Sequence, residues 1–134
     1  MTAPRIGVIG GGQLARMMQP AAVNLGVHLR VLAQSAADSA AQVIPDVVVG
    51  SHDDLEALLA FAAECDIVTF DHEHVPTTHL EELQRRGVAV RPGPHALRFA
   101  QDKIEMRAAL SAAGVPCPAW AHLTSKSDLD DFAN

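Results

Sequence analysis

The stretch that decides the fold is Arg5-Ile6-Gly7-Val8-Ile9-Gly10-Gly11-Gly12-Gln13-Leu14-Ala15. Ile6, Val8 and Ile9 read as a short strand buried in a parallel sheet. The three glycines after it can take backbone angles closed to residues with a Cβ, so their amide N–H groups are free to face an anion. A helix opening at once behind them adds its positive N-terminal end, and strand, Gly-rich turn and helix together form the usual frame of a phosphate-sized binding site. Gly10-x-Gly12-x-x-Ala15 also satisfies the dinucleotide fingerprint G-x-G-x-x-G/A.

Outward from that turn, Leu14, Met17, Met18, Ala21, Ala22 and Leu25 recur at the spacing of a helix packed on a sheet, with Gly26 as its stop. Pro20 lies inside the pattern and is expected to kink or divide it. Val27 to Leu32 and Asp46 to Val49 read as strands, separated by a small-residue stretch, Ser35 to Ala41, expected as a loop or short helix. Ser51 to Asp54 reads as a capping box ahead of a helix carrying Leu55, Leu58, Leu59 and Ala62. Asp66 to Phe70 follows as a fourth strand, Thr78 to Arg86 as a helix opened by Thr78-x-x-Glu81, and Val88 to Arg91 as a fifth strand. This alternation predicts an α/β fold: an open, largely parallel five-stranded sheet with helices on both faces, Rossmann-like, binding ligands at the carboxyl ends of its strands.

Beyond the Pro92-Gly93-Pro94 break the pattern changes. Pro94 to Gln101 and Asp102 to Ala113 read as two helices with no strand between them, which suggests a change of module. Val115-Pro116-Cys117-Pro118 reads as a linker and Ala119 to Leu123 as a strand outside the first sheet. Ser127-x-x-Asp130 reads as a capping box whose helix has room for only about two turns before Asn134. The chain is therefore expected to be a fragment of a longer protein.

Composition narrows the partners. The 134 residues carry a net charge of −6, which argues against nucleic acid or another polyanion. No run approaches the ~18 apolar residues of a membrane span, and Met1 to Arg5 lack the sections of a signal peptide, so no membrane partner and a cytoplasmic location are expected. Cys65 and Cys117 lie far apart without ligand spacing and read as free thiols.

Three groups of residues could carry chemistry. The first is the turn with Gln13, whose side-chain amide can donate and accept toward a ligand. A dinucleotide site wants an acid at the end of the second strand, but that place holds Ala33, Gln34 and Ser35, with Asp38 only in the following loop. The second is Asp71-His72-Glu73-His74 after the fourth strand. On an extended backbone His72 and His74 share one side and Asp71 and Glu73 the other. Either carboxylate could accept hydrogen bonds from a ligand amine or hydroxyl; a metal held by His72, His74 and His79 is the rival reading, a solvated loop the plain one. The third is Gln101-Asp102-Lys103, a capped and charged helix start in which Lys103 could reach a phosphate. No nucleophile triad and no G-x-x-x-x-G-K-[ST] loop is present.

Taken in order along the chain, these stretches resemble the N-terminal part of the N5-carboxyaminoimidazole ribonucleotide synthetase family of ATP-grasp ligases. Gly10 to Met17 resembles the family's GGGQLGRM, with Ala15 in place of a glycine. Val68-Thr69-Phe70-Asp71-His72-Glu73-His74-Val75-Pro76 is similar to VTFEFENVP, with Asp71 and His74 departing from Glu and Asn and Glu73 in register. Arg91-Pro92-Gly93-Pro94 through Ala100-Gln101-Asp102-Lys103 is similar to RPSP…AQDR, and the wording FDHEHVP and AQDK is that of the actinobacterial branch.

The resemblance implies a pre-ATP-grasp domain over residues 1–116, with 117–134 a linker and the truncated start of the ATP-grasp domain. It implies ATP-dependent ligation of bicarbonate to the amino group of 5-aminoimidazole ribonucleotide in purine biosynthesis, through carboxyphosphate and with magnesium. Gly10, Gly11, Gly12, Gln13, Leu14 and Glu73 would contact the ribonucleotide and Lys103 would contact ATP. Catalytic and magnesium-binding residues would lie beyond Asn134, leaving the chain alone inactive, and the full-length protein would be a homodimer. The alternatives are a nicotinamide-dependent oxidoreductase domain and a stand-alone nucleotide-binding module.

Overall fold

A computed structural model describes residues 3–133, which divide into two compact units at Leu97/Arg98. The first unit holds four strands, β1 (Arg5–Ile9), β2 (His28–Ala33), β3 (Asp46–Val49) and β4 (Ile67–Phe70), all parallel and ordered β3-β2-β1-β4. Between them run α1 (Gln13–Leu25) and α2 (Leu55–Ala62), and α3 (Thr77–Arg85) follows β4. The alternation along each strand gives the sheet two apolar faces. Val8, Leu29 and Val31 pack with Ala15 and Ala22 of α1, whereas Ile9, Leu32 and Val68 pack with Leu58 and Phe61 of α2 and Leu80 and Leu83 of α3. Helices therefore cover both faces, as expected of a parallel sheet.

The sheet has four strands rather than the five expected. Val88 to Arg91 supplies only an isolated parallel bridge, Val68 to Val90, fixed by Val68 N–H to Ala89 O and Arg91 N–H to Val68 O, each 2.9 Å. Val90 is buried like a strand residue, but Pro92 has no N–H with which to continue the ladder. Ser35 to Ala41 forms turns rather than a helix.

Helix boundaries follow local chemistry, not always at the expected residues. Gly26 ends α1 at φ 66°, with Gly26 N–H on Val23 O and Val27 N–H on Ala22 O, the paired bonds of a Schellman stop. Pro20 does not divide α1. Its missing N–H is on an exposed side of the helix, where the freed carbonyl can meet water. The apolar stripe of α1 is only partly core: Ala22 is buried, whereas Leu14, Met17 and Leu25 are exposed, and the buried Ala15 lies outside the expected stripe. α2 is capped by Asp54, which accepts from the Glu56 and Ala57 N–H groups, not by Ser51. α3 begins at Thr77 behind Pro76 and has no side-chain cap.

The second unit contains α5 (Lys103–Ala112), preceded by the end of α4 (Pro94–Gln101), and α6 (Lys126–Ala133). Asp102 caps α5 through the Ile104 and Glu105 N–H groups. α6 opens with a reciprocal capping box two residues earlier than expected: Ser125 Oγ accepts from Asp128 N–H, and Asp128 accepts from Ser125 N–H. Ala119 to Leu123 forms no strand; a strand needs a partner for its ladder, and no strand lies among the described residues of this unit. Asn134, the last residue of the helix expected there, is outside the described residues.

Candidate functional site

β1 is followed in sequence by β2 on one side of it, while the later crossover to β4 lands on the other. The connections thus leave the sheet in opposite directions at the β1/β4 boundary, where open α/β sheets bind ligands. Register brings the carboxyl ends together: Ile9 pairs with Phe70, and Asp71 N–H donates to Ile9 O at 3.1 Å. The Gly-rich turn and the Asp71 to His74 turn therefore stand side by side, with Gln34 after β2 and Gly50 to Asp54 after β3 farther along the same edge.

At the turn the backbone groups are already engaged. Gly10 has φ 115°, and its N–H donates to Leu32 O at 2.9 Å. A Cβ on Gly10 would stand 1.7 Å from Asp71 Oδ1, so both the angle and the space require glycine. Gly12 N–H donates to Asp71 Oδ2 at 2.9 Å, linking residues 59 apart in sequence. The Asp71 side chain is only 4 % exposed, and its Oδ1 has no hydrogen-bond partner. Gly11 O accepts from Ala40 N–H, which ties the turn to the loop after β2.

Asp38, the acid nearest the ribose-binding place of a nicotinamide fold, spends Oδ2 on the Gln34 N–H at 2.9 Å and the Ser35 N–H at 3.3 Å, and the same oxygen lies against Gly11. That oxygen thus holds the start of the loop. Gln13, on the first turn of α1, is exposed and accepts from Ser39 Oγ at 2.9 Å through Oε1, and Arg16 donates to Ser39 O at 2.9 Å. Leu14 is exposed beside it.

After Phe70 the chain bends, so the two-residue alternation expected for residues 71–74 does not hold. Asp71 turns inward and Glu73 is exposed; His72 and His74 nevertheless meet, with ring centroids 5.6 Å apart and His74 N–H on His72 Nδ1 at 3.1 Å. His52, which sequence reading placed only in a capping box, completes the group edge-on to His72 at 4.7 Å and lies 3.4 Å from Gln34 Nε2. Its signal was its place after a strand end, shared with Asp71 and Gln34. Burial lowers the His72 pKa below the ordinary imidazole value, the Asp71 charge raises it in opposition, and His52 and His74 lower it further. His79 instead approaches the His52 carbonyl at 3.4 Å, and among the described residues no three His, Cys, Asp or Glu side chains converge to hold a metal ion.

Gln34, Gly50, Ser51 and Asp53 line a cavity of about 470 Å³ along this edge. Lys103 is the first residue of α5 in the second unit, behind the Asp102 cap. The charged network of Arg5, Arg30, Asp46 and Glu64 lies toward the amino ends of the strands and leaves the carboxyl edge to the turn and the histidines.

Residues 3–101 match the family model of the ribonucleotide synthetase preATP-grasp domain. The chain belongs to that family. Among curated relatives of this preATP-grasp chain, the N5-carboxyaminoimidazole ribonucleotide synthase of Mycobacterium tuberculosis is 55% identical over 131 residues, covering 98% of the chain and 30% of the relative. That of Corynebacterium ammoniagenes is 50% identical over 129 residues, covering 96% and 31%. The crystal structure of N5-carboxyaminoimidazole ribonucleotide synthetase from Thermotoga maritima superposes with a TM-score of 0.83 at 32% identity, over 96% of this chain and 36% of that one. The Aspergillus clavatus synthase, in complex with ADP and 5-aminoimidazole ribonucleotide, gives 0.82 at 32% identity over 98% of this chain and 36% of that one. The preATP-grasp chain thus spans about 30% of the length of these curated relatives.

Proposed function

We propose that this chain is the N-terminal part of an ATP-dependent ligase that carboxylates the amino group of 5-aminoimidazole ribonucleotide with bicarbonate, in purine biosynthesis. The observation that carries this reading is the 55% identity over nearly the whole chain to proteins named for that product. The position of the Gly-rich turn at the β1/β4 boundary supports it, because that is where this sheet can receive a ligand. In this reading the chain provides the preATP-grasp domain over 1–116, and 117–134 lead into the ATP-grasp domain. Gly10, Gly11, Gly12, Gln13, Leu14 and the exposed Glu73 contact the ribonucleotide, with Glu73 accepting from its amine region. Lys103 contacts ATP phosphates.

Catalytic residues belong to the longer protein. Among the described residues no three His, Cys, Asp or Glu side chains converge, and in this reading magnesium is held by the longer protein. Cytoplasmic location and a homodimeric full-length enzyme complete the reading; no helix is long and apolar enough to cross a membrane among the described residues.

The test is phosphate release from ATP in the presence of bicarbonate and 5-aminoimidazole ribonucleotide. The full-length enzyme turns over and the 134-residue chain does not. Turnover by the chain alone would overturn the assignment of catalysis to the remainder. In the full-length enzyme Glu73→Gln is expected to lower kcat/KM by at least about tenfold, the loss of one charge-assisted contact. Unchanged efficiency removes Glu73 from the site.

A further inference from the structure

The Gly-rich turn has the outline of a phosphate cradle, yet a carboxylate already sits in it. Asp71 Oδ2 holds the Gly12 N–H at 2.9 Å, and Gly12 is the N-cap of α1. The charge thus stands at the helix end that would otherwise draw an anion. Asp71 Oδ1 lies over Gly10, within 1.7 Å of where a Cβ would be, is buried, and has no hydrogen-bond donor. The Gly10 N–H is spent on Leu32 O. Two of the three glycine amides of the presumed cradle are therefore committed inside the protein.

Beyond the Gly12 N–H and the α1 N-terminus, no Lys or Arg side chain among the described residues pairs with Asp71. The nearest basic nitrogen is His72 Nε2 at 3.9 Å, and burial keeps that ring from protonating readily. Arg16 of the first turn of α1 directs a guanidinium nitrogen to Ser39 O. An arriving phosphate would meet a like charge at close range with its amides already taken, whereas a neutral or cationic group bearing N–H donors would meet a favourable potential.

We propose that Asp71 is a specificity-determining residue: its carboxylate fills the anion position of the Gly10–Gly12 turn, so the turn turns phosphate away and receives the N–H-bearing end of a nitrogenous ligand. This deepens the substrate reading above and rests on it for the identity of the ligand.

The test is an amide-resolved NMR titration of the 134-residue chain at constant ionic strength. The probes are inorganic phosphate, ribose 5-phosphate and 5-aminoimidazole ribonucleotide. In the unaltered chain, inorganic phosphate and ribose 5-phosphate leave the Gly10 to Gln13 amides without a saturable shift. Asp71→Ala opens the cradle, and phosphate then binds the turn at least about tenfold more tightly, as removal of a like charge at about 4 Å requires. Asp71→Ser removes the charge and shortens the side chain so that it no longer fills the place over Gly10, and it keeps the test open should the alanine variant not fold.

A saturable phosphate shift at the turn of the unaltered chain overturns the proposal. So does a folded Asp71→Ser or Asp71→Ala chain that remains as blind to phosphate as the parent. The phosphate arms decide the role of Asp71 on their own. The aminoimidazole ribonucleotide arm decides the substrate reading, so the two can fail separately.

Discussion

Gly10→Ala tests the union of turn and carboxylate most directly. Two costs add. At φ 115° a residue with a Cβ is strained, by about 1–2 kcal/mol. The new methyl would also overlap Asp71 Oδ1 at 1.7 Å and approach Asp71 Cγ at 2.7 Å, so the carboxylate must leave and its charge-assisted bond to Gly12 N–H is lost. A hydrogen bond to a charged group is worth about 1.5–3 kcal/mol, giving a total near 3–5 kcal/mol, a large part of a small domain's stability. Urea unfolding of four chains closes the cycle: parent, Gly10→Ala, Asp71→Ala and the double variant. In the Asp71→Ala background only the backbone strain remains, so Gly10→Ala is expected to cost about 2 kcal/mol less there than in the parent. A coupling below about 0.5 kcal/mol would refute the argument that Asp71 occupies the space Gly10 leaves open.

The remaining expectations concern stability, pH and thiol chemistry. Asp54→Ala removes the side chain that caps the Glu56 and Ala57 amides and should cost about 1 kcal/mol in urea unfolding, with Asp54→Asn close to the parent. His72 has its pKa lowered chiefly by burial, so below the ordinary imidazole value of about 6.5 the unfolded chain binds the proton more readily than the folded one. Its contribution is therefore complete above that value and is lost as pH falls through it; His72→Phe should flatten the fall in urea midpoint between about pH 7 and pH 5, and an unchanged slope would exclude His72 as its source. Cys65 is pushed up to about 11 by burial and holds its thiol on Phe61 O at 3.4 Å. At pH 8 it should react with a disulfide reagent roughly two hundredfold more slowly than an unperturbed cysteine peptide, as scored in a Cys117→Ser chain.

Much of this architecture is legible in local sequence because local physics sets it. The strand after Arg5, the glycine stop at Gly26 and the apolar faces of α2 and α3 depend on neighbours a few residues away. The fifth strand failed for a reason also local but easily passed over: Val90 has the burial of a strand residue, while Pro92 ends the ladder after one bridge. The exposed Leu14, Met17 and Leu25 show the opposite limit. Periodicity shows that a helix has an apolar stripe, but how much of it is covered depends on where α1 lies across the sheet.

The candidate site divides in the same way. Gly10 to Gln13 and Asp71 to Glu73 stand out by residue type and position after strands, and their order along the chain points to the preATP-grasp family without coordinates. Whether the turn offers its amides to a ligand could not be read from them. That is decided by the pairing of Ile9 with Phe70, which sets Asp71 beside Gly12 across 59 residues, and by the bend after Phe70 that sends Asp71 inward and leaves Glu73 in solvent. His52 joins His72 for the same reason, through neighbouring strand ends and not through sequence spacing. Sequence alone determined which groups could act and to which family they belong, because residue type and local propensity are written along the chain. Only the tertiary structure decided which donor meets which acceptor, because hydrogen bonds and charges act over a few ångströms in space, irrespective of distance along the chain.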